Sequence, residues 1–327
     1  MSFPELLVLA SMLPALLLAV LDVLHFLKVL VVDPVVWLVS LVWRSDDALL
    51  REYYAGKTVV VTGSSSGLGE AFALQLARLH ANLVLTARNT ASLERIAKEC
   101  RTVSEGRSLV VILPLDLETV ANLNQDRPQE LERFIQGLSA WLSQNSLAPP
   151  HVLINNAGVS SRGAALDTEP ATLRKVMNTN FFGPAAFTRA LLPVMSKGGA
   201  IGVVSSVQGR LGIALRTSYA ASKHALQGWF DSLRAELGSQ FSVTVISPGY
   251  ISTNLSNNAI TPDGSLYGKT DETTAKGMSP DVCARASLVA IARGVSDLVL
   301  ADAKVQAAVQ AKAQFPGLLA KATSKKI

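Results

Sequence analysis

Two kinds of apolar pattern divide this chain. Residues 6–21 run sixteen positions without a charge, and the apolar character continues to Trp43, interrupted only by Asp22, His25, Lys28 and Asp33. From Lys57 the pattern changes to short β-branched runs separated by longer amphipathic segments. The short runs predict strands over 58–62, 82–87, 109–115, 152–155, 200–205, 242–247 and 297–301. The longer segments predict helices over 67–81, 92–103, 129–143 and 170–195, and another carrying Tyr219 as far as Leu237. Strands alternating with helices to about Asp302 predict one α/β domain, with a doubly wound parallel sheet that binds ligands at the carboxyl ends of its strands.

The first pattern predicts a membrane segment. About 20 apolar residues in a helix cross the ~30 Å hydrocarbon core, so residues 6–27 are expected to form a single-pass transmembrane signal-anchor. No Lys or Arg precedes the run, which argues against a cleaved signal peptide. Residues 34–43 are too short to span and suit the interface, with Trp37 and Trp43 at headgroup depth. Lys28, Arg44, Arg51 and Lys57 all follow the run, which places the folded domain on the cytosolic side. The expected location is the endoplasmic reticulum membrane, with the peroxisomal membrane as the alternative. The organisation expected is an anchor over 1–45, a linker over 46–56, the α/β domain over 57–302 and a basic tail over 303–327.

Charge and composition narrow the picture further. The net charge of +5 in 327 residues is concentrated late, with Lys304, Lys312, Lys321, Lys325 and Lys326 in the tail. These lysines stand among Ala, Val and Leu without a basic stripe or aromatic platforms, so nucleic acid is not an expected partner. The tail reads as a solvated helix face or a contact with an anionic membrane surface. Two cysteines, Cys100 and Cys283, make no CxxC, and the four histidines lack metal-ligand spacing.

The chemistry-bearing residues follow the strands. Thr62-Gly63-Ser64-Ser65-Ser66-Gly67-Leu68-Gly69 leaves the first strand and opens a helix. Glycines there let backbone amides and a helix N-terminus reach a pyrophosphate, the mark of a Rossmann-type dinucleotide site. The second strand ends at Arg88, where an acid would bind an adenosine ribose hydroxyl. Arginine there suits a 2′-phosphate, favouring NADP(H) over NAD(H). Asp116 follows the third strand as a partner for the adenine edge. Asn155-Asn156-Ala157-Gly158 follows the fourth, where Asn156 shapes the nicotinamide-ribose floor or serves the loop itself. Asn180, polar amid apolar neighbours, is expected to kink the helix over 170–195 and hold a water, or simply to pack. Ser206 follows the fifth strand, thirteen residues before Tyr219. Tyr219 and Lys223 lie four apart on one helix face, where an ammonium lowers the pKa of a phenol.

Taken together, TGxxxGxG, NNAG, a helix Asn, a Ser and YxxxK, in that order from Lys57 to Asp302, resemble the short-chain dehydrogenase/reductase superfamily. The resemblance implies that Tyr219 is the general acid of ketone reduction and that Ser206 orients the substrate carbonyl. By the same resemblance Lys223 binds the nicotinamide ribose and lowers the Tyr219 pKa, and Asn180 anchors a proton-relay water. Ser65, Ser66 and Leu68 then line the cofactor, Thr253 holds its carboxamide, and a homodimer pairs through the helices over 170–195 and 219–237. Residues 250–278 have little apolar periodicity and suit a substrate lid. Arg162, Arg210, Arg216 and Lys269 are candidates to hold a phosphate-bearing substrate. The membrane segment favours a lipophilic ketone; the resemblance implies acyl- or alkyl-dihydroxyacetone phosphate first, with a steroid, retinal or a 3-keto sphingoid base as alternatives. A non-catalytic NADP(H)-binding membrane scaffold is the reading from another class.

Overall fold

Each β-branched run sends alternate side chains to opposite faces of a sheet, and here both faces are covered. The computed structural model describes residues 46–121 and 128–314. Its strands are β1 (Thr58–Thr62), β2 (Asn82–Thr86), β3 (Val110–Ile112), β4 (Val152–Asn155), β5 (Ala200–Val204), β6 (Ser242–Pro248) and β7 (Asp297–Leu300). All neighbours pair in parallel, in the order β3-β2-β1-β4-β5-β6-β7. The winding direction reverses between β1 and β4, so the loops leaving these two strands part and open a crevice.

The strand period decides which helix packs where. Val59 and Val61 face α2 (Gly67–Arg78), α3 (Thr90–Val103) and α9 (Pro280–Ala292), in a core with Phe72, Leu76, Ile96 and Leu288. Val60, Val84, Leu153 and Ile201 face the other way, toward α4 (Gln129–Gln144), α6 (Gly183–Leu191) and α7 (Thr217–Leu237), with Phe134, Phe187 and Phe230. The expected doubly wound sheet with helices on both faces is therefore present.

Three boundaries differ from the sequence reading. Residues 46–54, expected as linker, are a helix, α1 (Asp46–Tyr54). Leu50 and Tyr54 lie one turn apart, are buried in the first core, and the Tyr54 hydroxyl donates to the Leu288 carbonyl at 2.9 Å. The expected long helix over 170–195 is broken into α5 (Pro170–Met177), a π turn (Asn178–Phe182) and α6. Gly183 donates its N–H to the carbonyl of Asn178, five residues back, a register that α-periodicity cannot reveal. The tail begins as α10 (Ala303–Gln314), and Lys312 donates to the Arg210 carbonyl at 2.6 Å. That part of the tail is thus docked on the domain rather than solvated all round. The lid region holds one short helix, α8 (Glu272–Ala275).

The expected membrane anchor, residues 1–45, and the tail beyond residue 314 lie outside the described residues. Among the described residues no helix is long and apolar enough to cross a membrane.

The burial of Tyr54 gives the first prediction. Tyr54→Ala removes a large core side chain and its hydrogen bond, and is expected to destabilise the domain by about 3–5 kcal/mol in a denaturant titration. A loss below about 1 kcal/mol would show that α1 is dispensable, as a linker would be.

Candidate active site

The crevice at the carboxyl ends of β1, β4 and β5 is a cleft of about 650 Å³, large enough for a dinucleotide and a substrate head. Every catalytic and cofactor-binding residue expected from the sequence lines it except Lys223 and Asn180, which stand behind its wall.

The glycine turn is built by close approach. Gly63 and Gly67 have φ of +65° and +60°, in the left-handed region that favours glycine. A Cβ on Gly69 would stand 2.1 Å from the Gly63 carbonyl and 2.6 Å from Asn156 Nδ2, so only glycine lets α2 start this near the strand. Ser66 precedes α2 in an extended conformation and its side chain makes no cap, leaving the first-turn amides of Gly67, Leu68 and Gly69 toward the cleft. Thr253 closes over the turn: a Cβ on Gly67 would meet its side chain at 3.3 Å. These features fit a pyrophosphate, and the fit does not depend on any ligand being present.

At the adenosine end, Arg88 is exposed and lines the cleft beside Asn89, whose side chain caps α3 by accepting from Ser92 N–H at 2.9 Å. Asp116 also lines it and accepts from the Glu118 amide at 2.9 Å, which fixes the carboxylate.

Asn156 ties the two strands at the switch point. Its Nδ2 donates to the carbonyls of Thr62 at 2.9 Å and Gly63 at 3.2 Å, while Thr62 Oγ1 accepts the Asn156 and Ala157 amides at 3.0 Å each. Asn180 is fully buried, and its side chain is spent on the protein. It donates to the Val159 carbonyl and Ser222 Oγ at 2.9 Å each, and accepts from the Val159 amide at 2.8 Å. The side chain therefore clamps the loop after β4 from within the π turn.

Ser206 and Tyr219 line the cleft, and Lys223 is buried behind Tyr219. Ser206 caps a short 3₁₀ turn by accepting the Gln208 amide at 3.1 Å, which leaves its O–H free to donate. Its neighbour Ser205 is tied off, accepting from Gln227 Nε2 at 2.8 Å. Tyr219 is 6% exposed, and Lys223 at 3% reaches beneath it to donate to the Val204 carbonyl at 2.9 Å. The Lys223 Nζ lies 5.8 Å from the tyrosine ring centre.

The electrostatics correct one expectation. The Tyr219 phenol was expected below its ordinary pKa. Burial instead pushes it up, and the Ser206 hydroxyl, Arg162 and Arg216 pull against that rise without cancelling it. Burial brings Lys223 down to about 8.

Of the four basic residues proposed for a phosphate, only Arg162 lines the cleft. Arg210 is turned to Ser247 and Asp297, and Lys269 is exposed. Three site residues escaped the sequence reading. Ser222 donates to the Tyr219 carbonyl at 2.7 Å, Gln227 holds Ser205 and Ser247, and Asp271 joins Arg162 and Arg216. Gln227 stands four residues after Lys223 on the same helix face, a spacing that was legible; Asp271 gave no sequence signal.

A dinucleotide cradle opening onto a buried serine, tyrosine and lysine defines a nicotinamide-dependent oxidoreductase. The chain belongs to the short-chain dehydrogenase/reductase family, matching the short chain dehydrogenase family over residues 57–263. It is 43% identical over 272 residues to Dehydrogenase/reductase SDR family member 7B of Bos taurus, covering 82% of this chain and 81% of that one. It is 41% identical over 282 residues to Dehydrogenase/reductase SDR family protein 7-like of Drosophila melanogaster, covering 85% and 82%. Among solved structures, a Burkholderia phymatum short chain dehydrogenase/reductase in complex with NAD superposes with a TM-score of 0.69 at 21% identity, covering 84% of this chain and 99% of that one. An alcohol dehydrogenase from Thermococcus sibiricus complexed with 5-hydroxy-NADP gives 0.60 at 25% identity, covering 75% and 95%.

The buried lysine carries a pH signature. The unfolded chain keeps this proton to 10.5, whereas the fold releases it at about 8. Between those values the unfolded state binds more protons, so Lys223 costs stability below about 8 and the cost disappears as pH rises. Lys223→Met is expected to be at least as stable as wild type at pH 7, the advantage shrinking steadily to pH 10 in paired thermal melts. A gap that widens with pH would contradict the assignment.

Proposed function

We propose that this protein is a membrane-anchored, NADP(H)-dependent oxidoreductase that interconverts a carbonyl and a secondary alcohol on a lipophilic substrate. The chemistry rests on one observation above all: Ser206 and Tyr219 line the same cleft that holds the glycine turn, with Lys223 buried behind Tyr219.

A bound nicotinamide would supply or accept the hydride. The chain's own part is proton handling and orientation. The Ser206 O–H, freed by its acceptor role toward Gln208, donates to the substrate carbonyl oxygen. The Tyr219 phenol, kept protonated by burial, is the acid for the developing alkoxide. Lys223, 5.8 Å from the ring centre, would stabilise the phenolate left behind and, as the family resemblance implies, hold the nicotinamide ribose. Arg88 stands just after β2, where an acid would hold a ribose hydroxyl, and lines the cleft, which supports NADP(H) over NAD(H).

The wall residues support a lipophilic substrate. Leu255 and Leu266 border the cleft and are 40% and 71% exposed, and Ile213 and Leu215 on the approach to α7 are also exposed. An acyl- or alkyl-dihydroxyacetone phosphate would meet net positive charge at Arg162. Yet the Arg162 donors are already bonded to Asp271, Ser160 and Ser161, which favours as a second reading a neutral ketone such as a steroid, retinal or a 3-keto sphingoid base. The location proposed is the endoplasmic reticulum membrane with the domain in the cytosol.

NADPH oxidation by detergent-purified protein, with these ketones in micelles, tests the reading. Turnover is expected on at least one, and Tyr219→Phe is expected to lower it about 100- to 10,000-fold while dinucleotide binding persists. Dinucleotide binding without turnover on any ketone would favour the scaffold reading. Replacing the 2′-phosphate partner separates the cofactors: Arg88→Asp is expected to weaken NADPH binding about tenfold or more and leave NADH nearly unchanged. Equal losses for both would return the arginine to a surface role.

A further inference from the structure

The tail helix touches both elements that carry the reacting groups. Lys312, in the last turn of α10, donates Nζ to the Arg210 carbonyl at 2.6 Å and stands 3.3 Å from His224 Nε2. Arg210 closes the 3₁₀ turn Val207–Gly209 that Ser206 caps, and His224 follows Lys223 on α7. The imidazole is oriented for this contact. Its Nδ1 lies 2.8 Å from the Ala220 carbonyl, which can only accept. Nδ1 therefore carries the hydrogen, and Nε2 of the neutral ring is left to accept from the ammonium. One side chain thus spans the exit of the serine turn and the outer face of the catalytic helix.

The rest of the turn is pinned by the domain itself. Gln227 Nε2 donates to Ser205 Oγ at 2.8 Å and to Ser247 Oγ at 3.2 Å, which holds the entrance. Arg210 Nε donates to the same Ser247 oxygen at 3.2 Å, and its guanidinium pairs with Asp297. These bonds fix the Arg210 side chain, and its carbonyl is met by the tail lysine. We propose that Lys312 is a positioning residue that ties the serine turn to the catalytic helix, so that the tail helix is a working part of the active site. Lys312 does not line the cleft, so it acts through the backbone of the turn. How that turn sits on α7 sets the Ser206 hydroxyl against the Tyr219 phenol, and a misplacement of about 1 Å can cost on the order of 100-fold in rate. The consequence for turnover rests on the oxidoreductase reading, but the contact can be tested without turnover.

Hydrogen exchange by the full chain in detergent, read by mass spectrometry, makes that test. The amides of Ser205, Gln208, Gly209, Arg210 and Leu211 are all hydrogen-bonded, so exchange over 205–211 reports how firmly the turn is held. Lys312→Met is expected to speed exchange of that segment about tenfold, as the loss of one hydrogen bond would, while β2 exchanges as in wild type. Lys312→Arg keeps a cationic donor and is expected to restore most of the protection. His224→Leu removes half of the bridge and is expected to give a smaller increase, with no further increase when added to Lys312→Met. In turnover, Lys312→Met is expected to lower kcat about tenfold with NADPH affinity unchanged. A contact that merely seats the tail would speed exchange over 303–314 and leave 205–211 at the wild-type rate, which overturns the proposal. So does faster exchange over 205–211 with kcat unchanged. Faster exchange in a protein that reduces no ketone leaves the contact standing and counts instead against the oxidoreductase reading.

Discussion

An ammonium group buried in the middle of a protein is costly unless the surrounding backbone is arranged to receive it. Lys223 is such a group, and much of the catalytic region is built around its position. The Val204 carbonyl at the end of β5 accepts a hydrogen bond from it, which fixes α7 against that strand. Gly158 leaves room beside it: a Cβ there would stand 3.4 Å from the lysine nitrogen and 3.2 Å from Asn180 Oδ1. Asn180 in turn clamps both the loop carrying Gly158 and Ser222 on the lysine's own helix. The π turn is the local price of bringing that asparagine inward from a helix that otherwise packs by its apolar face. Strand, loop and two helices thus meet at one charge, whose affinity for its proton falls to about 8 as a result.

The tyrosine above it is governed by a different balance. Burial raises its pKa, and what opposes burial comes from three separate segments: the Ser206 hydroxyl after β5, Arg162 in the loop after β4 and Arg216 on the approach to α7. This explains why the i, i+4 spacing of Tyr219 and Lys223 was an incomplete guide. Spacing places the two side chains on one face, but it carries no information about how much water remains around the phenol. The lysine nitrogen lies 5.8 Å from the ring centre, and it is not among the groups that pull the phenol down against burial.

Legibility along the chain followed the range of the interaction responsible. The strands were read to within one or two residues, except β3, because period and β-branching are local properties. The glycine turn was equally visible, since Gly63, Gly67 and Gly69 are required by contacts within one strand–turn–helix unit and its neighbouring loop. Helix α1 was missed because its two buried positions, Leu50 and Tyr54, make too short a pattern to distinguish from a linker. Its stability comes from the Leu288 carbonyl more than two hundred residues away. Asp271 was missed for the same reason, its partners lying 55 and 109 residues earlier in the chain.

By itself, then, the sequence determined the sheet, the dinucleotide cradle and the identity of Ser206, Tyr219 and Lys223, because each depends on spacing within one element or one turn. Only the tertiary structure decided what those groups can do. It tied Ser205 to Gln227, and it spent the Asn180 side chain on a loop. It also turned Arg210 away while drawing Arg162 and Arg216 to one carboxylate. Proton affinity and hydrogen-bond availability are properties of an environment, and an environment is assembled from segments that are neighbours only after folding.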